Sequence, residues 1–319
     1  MSSLIKKLYS HFQQDDYWHG RQGVGKYYSI AKLSGYYNDL TKKIVSKEDI
    51  DIEKIIPKVT VKGEKFIHPV TVCQVGLGAF DLYLETNEKV HLDQAIECGN
   101  WLVTNVEVGK NNTSYWTIPY DFKLFNMRKG FVSGLVQGQA ISLLLRLYIT
   151  LDDKQYYDLS LCAFNKLIEP VSIGGCRCEN SYIYEEYPNT KEINLVLNGA
   201  ISAFWGIYDL SLVSNEPNIK KIMTDSMRDL VLYLPKYDMN FYSRYCLKKS
   251  TFYYHNVASP YYHAEHIAQL KVLVDMTNSD PVVLKILSSF NAYNTKLNSF
   301  VSKLIKAYSL IVQKLLGLR

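Results

Sequence analysis

One unit recurs four times in this chain, and that recurrence limits the fold more than any other feature. The copies read Gln74-Val75-Gly76-Leu77-Gly78-Ala79-Phe80, Val136-Gln137-Gly138-Gln139-Ala140-Ile141-Ser142, Leu197-Asn198-Gly199-Ala200-Ile201-Ser202-Ala203 and His263-Ala264-Glu265-His266-Ile267-Ala268. They start about 60 to 66 residues apart, at the long end for a repeat period. Each is followed by a polar turn: Thr86-Asn87-Glu88, Leu151-Asp152-Asp153, Ser214-Asn215-Glu216-Pro217 and Asn278-Ser279-Asp280-Pro281. A second helical pattern comes after each turn. The first helices carry small residues such as Gly76, Gly138, Gly199 and Gly206. Glycine inside a helix costs about 1 kcal/mol against alanine, so its recurrence predicts close helix packing. The second helices, such as 92–106 and 219–234, are more amphipathic. This pattern predicts a mainly α fold, an incomplete (α/α) helical barrel or toroid of about four αα-hairpins.

Residues 1–65 lack the repeat and read as an N-terminal arm with short strands near 27–30 and 35–37. Residues 66–319 read as the toroid, ending in a basic amphipathic helix over 298–319. Three segments between the pairs are long: 108–130, 170–195 and 235–260. Loops of that length in a compact domain are usually functional. All three precede a first helix, so they should rise on one rim. The alternation in 181–187 and 241–245 predicts short β-hairpins there, the latter pairing with Thr251-Phe252-Tyr253-Tyr254.

Composition narrows the function by exclusion. With 47% apolar and 21% charged residues, the chain is ordinary for a globular protein. A net charge of +5 comes with no basic stripe or binding motif, so no nucleic-acid partner is expected. The start of the chain has no apolar leader and no run approaches 18 apolar residues, so the expectation is a cytoplasmic protein without a membrane span. Peripheral membrane association through 298–319 and a homodimer are expectations the sequence leaves open. Of the six cysteines, three lie in helical patterns, where a reduced buried thiol is the default. Cys176-Arg177-Cys178 is too tight for a zinc knuckle. No metal or cofactor is therefore expected. There is no P-loop, dinucleotide fingerprint or nucleophile elbow.

The remaining chemistry lies on the predicted rim. Tyr184-Glu185-Glu186-Tyr187-Pro188 offers acid, base and ring-stacking groups. Glu186 and Tyr187 would face opposite ways in a strand, so serving one site requires a bend there. Arg244-Tyr245 with Lys248 forms a second group. Tyr261-Tyr262-His263-Ala264-Glu265-His266 forms a third, in which Tyr262 and His266 share a helix face. Arg128-Lys129 before Gln137-Gly138-Gln139 is a fourth, near a helix start that can help hold an anion. A cavity lined by Tyr, Glu, His, Arg and Lys suits an acidic polysaccharide.

At these residues the chain resembles the D-glucuronyl C5-epimerase family, the heparosan and heparan glucuronate 5-epimerases. The matching runs are Gln137-Gly138-Gln139-Ala140-Ile141-Ser142, Tyr184-Glu185-Glu186-Tyr187-Pro188, Val196-Leu197-Asn198-Gly199, Ile207-Tyr208-Asp209-Leu210 and Pro235-Lys236-Tyr237-Asp238. Tyr262-His263, His266-Ile267 and Gln269-Leu270 continue them in the family's order, so the likeness spans about 68–275. The resemblance implies an (α/α) barrel catalytic domain that moves the C5 proton of a glucuronate within a polymer, without a cofactor. It implies Tyr187, Tyr245 and Tyr262 as catalytic tyrosines, with Glu186 beside them. Candidate substrate-binding groups are Trp116, Arg128, Lys129, Gln137, Gln139, Asn198, Arg244, Lys248, His263 and His266. The family's Tyr-Asp-Leu-Arg is Tyr245-Cys246-Leu247-Lys248 here. That exchanges a bidentate Arg fork for a point charge, with Arg244 as the candidate substitute. The β-rich N-terminal region of the animal enzymes has no counterpart here, so the expectation is a bacterial-type enzyme acting on a non-sulfated polymer. A uronate lyase and a non-catalytic glycan-binding module are the alternative readings.

Overall fold

The computed structural model describes residues 22–44, 56, 58–61, 63–249 and 256–315. Four antiparallel helix pairs follow one another: α1 (Pro69–Thr86) with α2 (Lys89–Thr104), α3 (Gly134–Leu151) with α4 (Lys154–Ile168), α5 (Leu197–Val213) with α6 (Pro217–Tyr233), and α7 (Pro260–Met276) with α8 (Pro281–Tyr293). A last helix, α9 (Lys296–Leu315), follows. The first helix of each pair is mostly buried and the second is more exposed. The fold is thus an (α/α) toroid with α1, α3, α5 and α7 inside.

The turns end where their chemistry requires. Asn87 and Asp152 close α1 and α3 in the left-handed conformation, at φ 56° and 54°, which Asn and Asp tolerate better than most residues. Asp153 and Asp280 then cap the next helices, accepting from Gln155 N and from Val282 N. Pro217, Pro260 and Pro281 occupy first helical positions, where a missing N–H does no harm.

Glycine sets the closest inner contact. A Cβ on Gly138 would lie 2.4 Å from Ser202 O, and one on Gly206 would lie 2.5 Å from Gly138 O. Only paired glycines let the backbones of α3 and α5 come this near. α3 is long and apolar enough to cross a membrane by composition, yet 78% of it is buried in the protein. It is a core helix.

The segment 22–44 ties all four inner helices together. Tyr36 N donates to Asp81 of α1 at 2.8 Å, Arg146 of α3 donates to Gly35 O at 2.9 Å, and Tyr37 OH donates to Asp209 of α5 at 2.7 Å. Gln22 donates to Tyr261 OH of α7 at 2.7 Å, and Tyr28 OH bonds Asp275 of the same helix. At the centre, Arg146 and Asp209 form an ion pair at 2.6 Å with both side chains almost fully buried. The strands expected at 27–30 and 35–37 do not form. The segment instead folds back on itself through Gly25 N to Tyr37 O and Gly35 N to Tyr27 O, because its polar groups are taken by the helices.

The strands are short hairpins: β1 (Val59–Val61) with β2 (Glu64–Phe66), β3 (Glu107–Val108) with β4 (Ser114–Tyr115), and β5 (Thr117–Ile118) with β6 (Phe131–Val132). The last two pairs lie in and beside the 108–130 rim segment, where no strand was expected. Residues 181–187 are irregular, with one bridge between Arg177 and Tyr184. Residues 241–245 likewise hold only isolated bridges, from Ser243 to Asp238 and from Arg244 to Val257. The partner expected at 251–254 lies outside the described residues.

Candidate active site

Glu185 and Glu186 are adjacent and do different work. Glu185 accepts from Asn194 N at 2.9 Å and Leu195 N at 2.7 Å, clasping the end of its rim segment just before α5. Its backbone oxygen also accepts from Gly134 N at the start of α3. The chain bends at 186–187, which lets Glu186 and Tyr187 serve one site. Glu186 is buried against the first turn of α5. A Cβ on Gly199 would lie 2.4 Å from Glu186 Oε2, so glycine there makes room for the carboxylate. Burial pushes the Glu186 carboxyl up to about 7, and a hydrogen bond with Tyr187 pulls it back only in part.

Tyr187 stacks on Phe125 at 4.4 Å between ring centres and touches Phe122 at 5.0 Å and Phe131 at 6.0 Å. These aromatics come from the 108–130 segment and the strand after it. Tyr245 arrives from the third rim segment. Its backbone oxygen accepts from Leu197 N, the first residue of α5, at 3.1 Å. Its ring lies 4.6 Å from that of Tyr262 in the first turn of α7, where Ser259 Oγ accepts from Tyr262 N at 3.3 Å. Burial first, then neighbouring Glu186 and Tyr262, drive the Tyr187 phenol well above its ordinary value. Burial, then Tyr262 and Tyr187, do the same to Tyr245. Both phenols are therefore neutral at pH 7.

Sequence reasoning did not give a role to two further groups at this site. Glu265 of α7 is buried beside Glu186. Burial pushes its carboxyl up to about 8 against the pull of buried Lys43, and Tyr261 and Asn198 hydrogen-bond it. Tyr120 lies close enough to Glu186 for that carboxylate, after burial, to raise its phenol to about 12. Glu265 is three residues after Tyr262, a spacing that shares a helix face, and that was the available signal. Tyr120 had none, since only the hairpin around it brings it to Glu186. A pocket of about 80 Å³ opens between His68, Tyr120, Phe122, Phe131, Glu186 and Tyr187. That is well below the size of a complete ligand pocket, so it suits one edge of a sugar ring.

Buried polar atoms are ordinarily partnered. Here unpartnered ones collect on the inner helices and the rim: Gln137 Nε2 and Oε1, Gln139 Oε1, Glu186 Oε2, Asn198 Oδ1, Glu265 Oε2 and Gln269 Oε1. Glu186 Oε2, Asn198 Oδ1 and Glu265 Oε2 lie together, where a polar ligand or an ordered water would satisfy them.

Several expected binding residues are placed elsewhere. Trp116 is a core side chain whose indole donates to Leu102 O at 2.9 Å. His263 is fully buried between Ser243 Oγ at 2.8 Å and Phe290 O at 3.0 Å, and it stacks on Tyr242 at 3.8 Å. His266 bonds the same Ser243 Oγ at 2.9 Å. Burial lowers His263 to about 4 and takes His266 well below its ordinary value. The two rings hold the turn that presents Arg244 and Tyr245, rather than gripping an anion. Lys248 donates to Leu124 O at 2.7 Å and pairs with Glu192 at 3.1 Å, bracing the loop beneath Tyr187. Arg128 and Lys129 are exposed on the β5–β6 loop, and Arg244 is half-buried beside Tyr245. Lys306 of α9 stands 5.5 Å over the Tyr245 ring. Among the described residues no cluster of three His, Cys, Asp or Glu side chains is placed to hold a metal.

Fold and site together define an (α/α)-toroid protein whose rim segments converge on a tyrosine- and carboxylate-lined pocket. The family model for the D-glucuronyl C5-epimerase C-terminus matches residues 110–292, more than half the chain, and the chain belongs to that family. It is 28% identical over 213 residues to a D-glucuronyl C5-epimerase of Caenorhabditis elegans, covering 61% of this chain and 34% of that protein. It is 27% identical over 146 residues to an uncharacterized protein of Methanocaldococcus jannaschii, covering 44% and 47%. The chain thus spans a third to a half of the length of these curated relatives. Among solved structures, the cellobiose 2-epimerase of Bacillus thermoamylovorans shares the fold, with a TM-score of 0.52 at 12% identity, over 73% of this chain and 61% of that one.

Proposed function

We propose that this protein is a polysaccharide glucuronate C5-epimerase, converting D-glucuronate to L-iduronate residues in a heparosan-like polymer. The observation that carries the reading is the convergence of Tyr187, Tyr245, Tyr262 and Glu186 on one rim, in a chain of the C5-epimerase family.

The chemistry follows from the site's charge states. C5–H is acidic only because the adjacent carboxylate can take up the electrons, and that carboxylate must then be neutralised. Glu265, still protonated at pH 7 because its carboxyl sits at about 8, offers an O–H for this task, beside Asn198. Inversion needs a base on one ring face and an acid on the other. Tyr187 alone is too weak a base, since its phenol is pushed up rather than down. Bonded to Glu186, it becomes a relay: the carboxylate takes the phenol proton as the phenol oxygen takes the C5 proton. The Tyr245–Tyr262 pair then donates a phenol proton to C5 from the opposite face. Solvent restores both sides.

The test is incubation with heparosan in D2O. Deuterium at C5 together with iduronate is the expected result. Unsaturated uronate absorbance would show a lyase, which shares the first step but expels the 4-O substituent. Binding without exchange would show a glycan-binding module. Either result overturns the proposal.

Gly199→Ala tests the seat of Glu186. The new Cβ would meet Glu186 Oε2 at 2.4 Å, forcing the carboxylate off its position. A displacement of this size costs about a hundredfold in rate, while alanine suits the helix by about 1 kcal/mol. C5 exchange should therefore fall about a hundredfold, while the contact with Glu186 Cβ at 2.7 Å should cost about 1–3 kcal/mol of stability by overpacking, too little to unfold the protein. Unchanged exchange would show that Glu186 need not sit there.

A further inference from the structure

We infer that α9 is a docking surface for an anionic lipid membrane. One side of the helix meets the toroid: Ser302 Oγ donates to Ala258 O at 2.9 Å, Ser309 is buried, and Ile305 packs on the cluster of Met239, Tyr242 and Val257. A different side faces solvent. Leu297, Phe300, Leu304, Tyr308, Ile311 and Leu315 are 39–81% exposed. With 3.6 residues per turn these six fall within an arc of about 80°. A soluble helix puts such a stripe into the core. This one puts it outside, in the densest run of exposed large apolar side chains among the described residues.

Charge selects the occupant. Residues 281–319 contain Lys285, Lys296, Lys303, Lys306, Lys314 and Arg319, and no Asp or Glu. Without those six, the chain has 30 Lys and Arg against 31 Asp and Glu, so its whole positive excess lies in this region. A second copy of α9 would bring like charges together across an apolar seam, and a soluble polyuronate would leave the Leu, Phe and Ile side chains in water. An anionic bilayer satisfies both faces, apolar groups entering the acyl boundary and Lys stems snorkelling to the headgroups. Helical register sets Lys296 and Lys303 beside the stripe, where snorkelling needs them. Lys306, on the far side, stands over the Tyr245 ring, so the docking helix also borders the site. The inference does not depend on the reaction proposed above.

Vesicle flotation tests it. The protein should float with vesicles of equal parts phosphatidylglycerol and phosphatidylcholine roughly tenfold more than with phosphatidylcholine alone, and less as salt rises. Leu297→Glu/Phe300→Glu/Leu304→Glu should abolish flotation while leaving the solution fold intact, since all three side chains are exposed. Three results would overturn the inference: no flotation with anionic vesicles, flotation unchanged in the triple variant, or a dimer by light scattering that the triple variant dissolves. If the triple variant does not fold, the lipid and salt dependence of the unaltered protein still decides.

Discussion

Glu186→Gln and Tyr187→Phe should each lower C5 exchange about 10²–10⁴-fold, the range a positioned acid or base contributes, without unfolding the protein. Phenylalanine keeps the ring that stacks on Phe125 at 4.4 Å, and glutamine keeps the volume beside Gly199. The pH profile gives the sign. Glu186 titrates at about 7, so it is protonated and useless as a base in acid, and exchange should rise with pH through about 7. Glu265 titrates at about 8, so its O–H is lost above that, and exchange should fall again. The kcat/KM profile should therefore peak between about 7 and 8, and Glu186→Gln should remove the acid limb. Stability should move the other way. The folded-state value of Glu186 is raised above its unfolded value of about 4.5, so its contribution is fully present below about 4.5 and is lost as pH rises through about 7. Each pKa unit is worth about 1.4 kcal/mol. Ionising Glu186 in place thus costs on the order of 3 kcal/mol, and Glu186→Gln should be more stable than the native protein at pH 8 but not at pH 4. A variant equally active, or less stable at pH 8, would contradict the role given to Glu186.

Arg146→Met should cost about 3–5 kcal/mol of stability, the penalty for stripping one partner from a buried ion pair. Asp209 would be left with little beyond the Tyr37 hydroxyl to answer it. Arg146 also donates to Ser142 O and Gly35 O and faces the rings of Tyr36 and Tyr37 at 5.4 and 5.8 Å. The change should therefore loosen the 22–44 segment from α3 and α5 together. Urea denaturation measures the first effect, and amide exchange at residues 35–39 the second. The double variant Arg146→Met/Asp209→Leu should recover most of the loss, since no charge is then left unpaired. A loss below about 1 kcal/mol in the single variant would mean the pair is not a keystone of the toroid.

Much of the fold was legible because its signals are local. The glycines of the first helices marked the close inner contacts, and Asn87, Asp152, Asp153 and Asp280 marked the turns, since helix ends are decided by nearby side chains. The meeting of Tyr187, Tyr245 and Tyr262 on one rim followed from where each stands relative to an inner helix. Which way a helix or loop residue faces was not legible. Glu265 and His266 are neighbours on α7 and both are buried. One enters the site and the other braces Ser243, and only the packing of α7 against α5 and the 243–245 turn separates them. Trp116 read as a substrate-binding group, yet the β4–β5 region tucks it against α2. Lys248 read as a substrate cation, yet Leu124 O and Glu192 take it.

By itself the sequence determined the four helix pairs, the rim from which chemistry is presented, and the concentration of positive charge in residues 281–319. These depend on spacing, capping and composition, which act over a few residues. Tertiary structure decided the ionisation of Glu186 and Glu265, the exposure of the α9 stripe, and the binding of residues 22–44 to all four inner helices. Each of these rests on which distant groups exclude water from a side chain, and desolvation is a property of the packed molecule rather than of any segment.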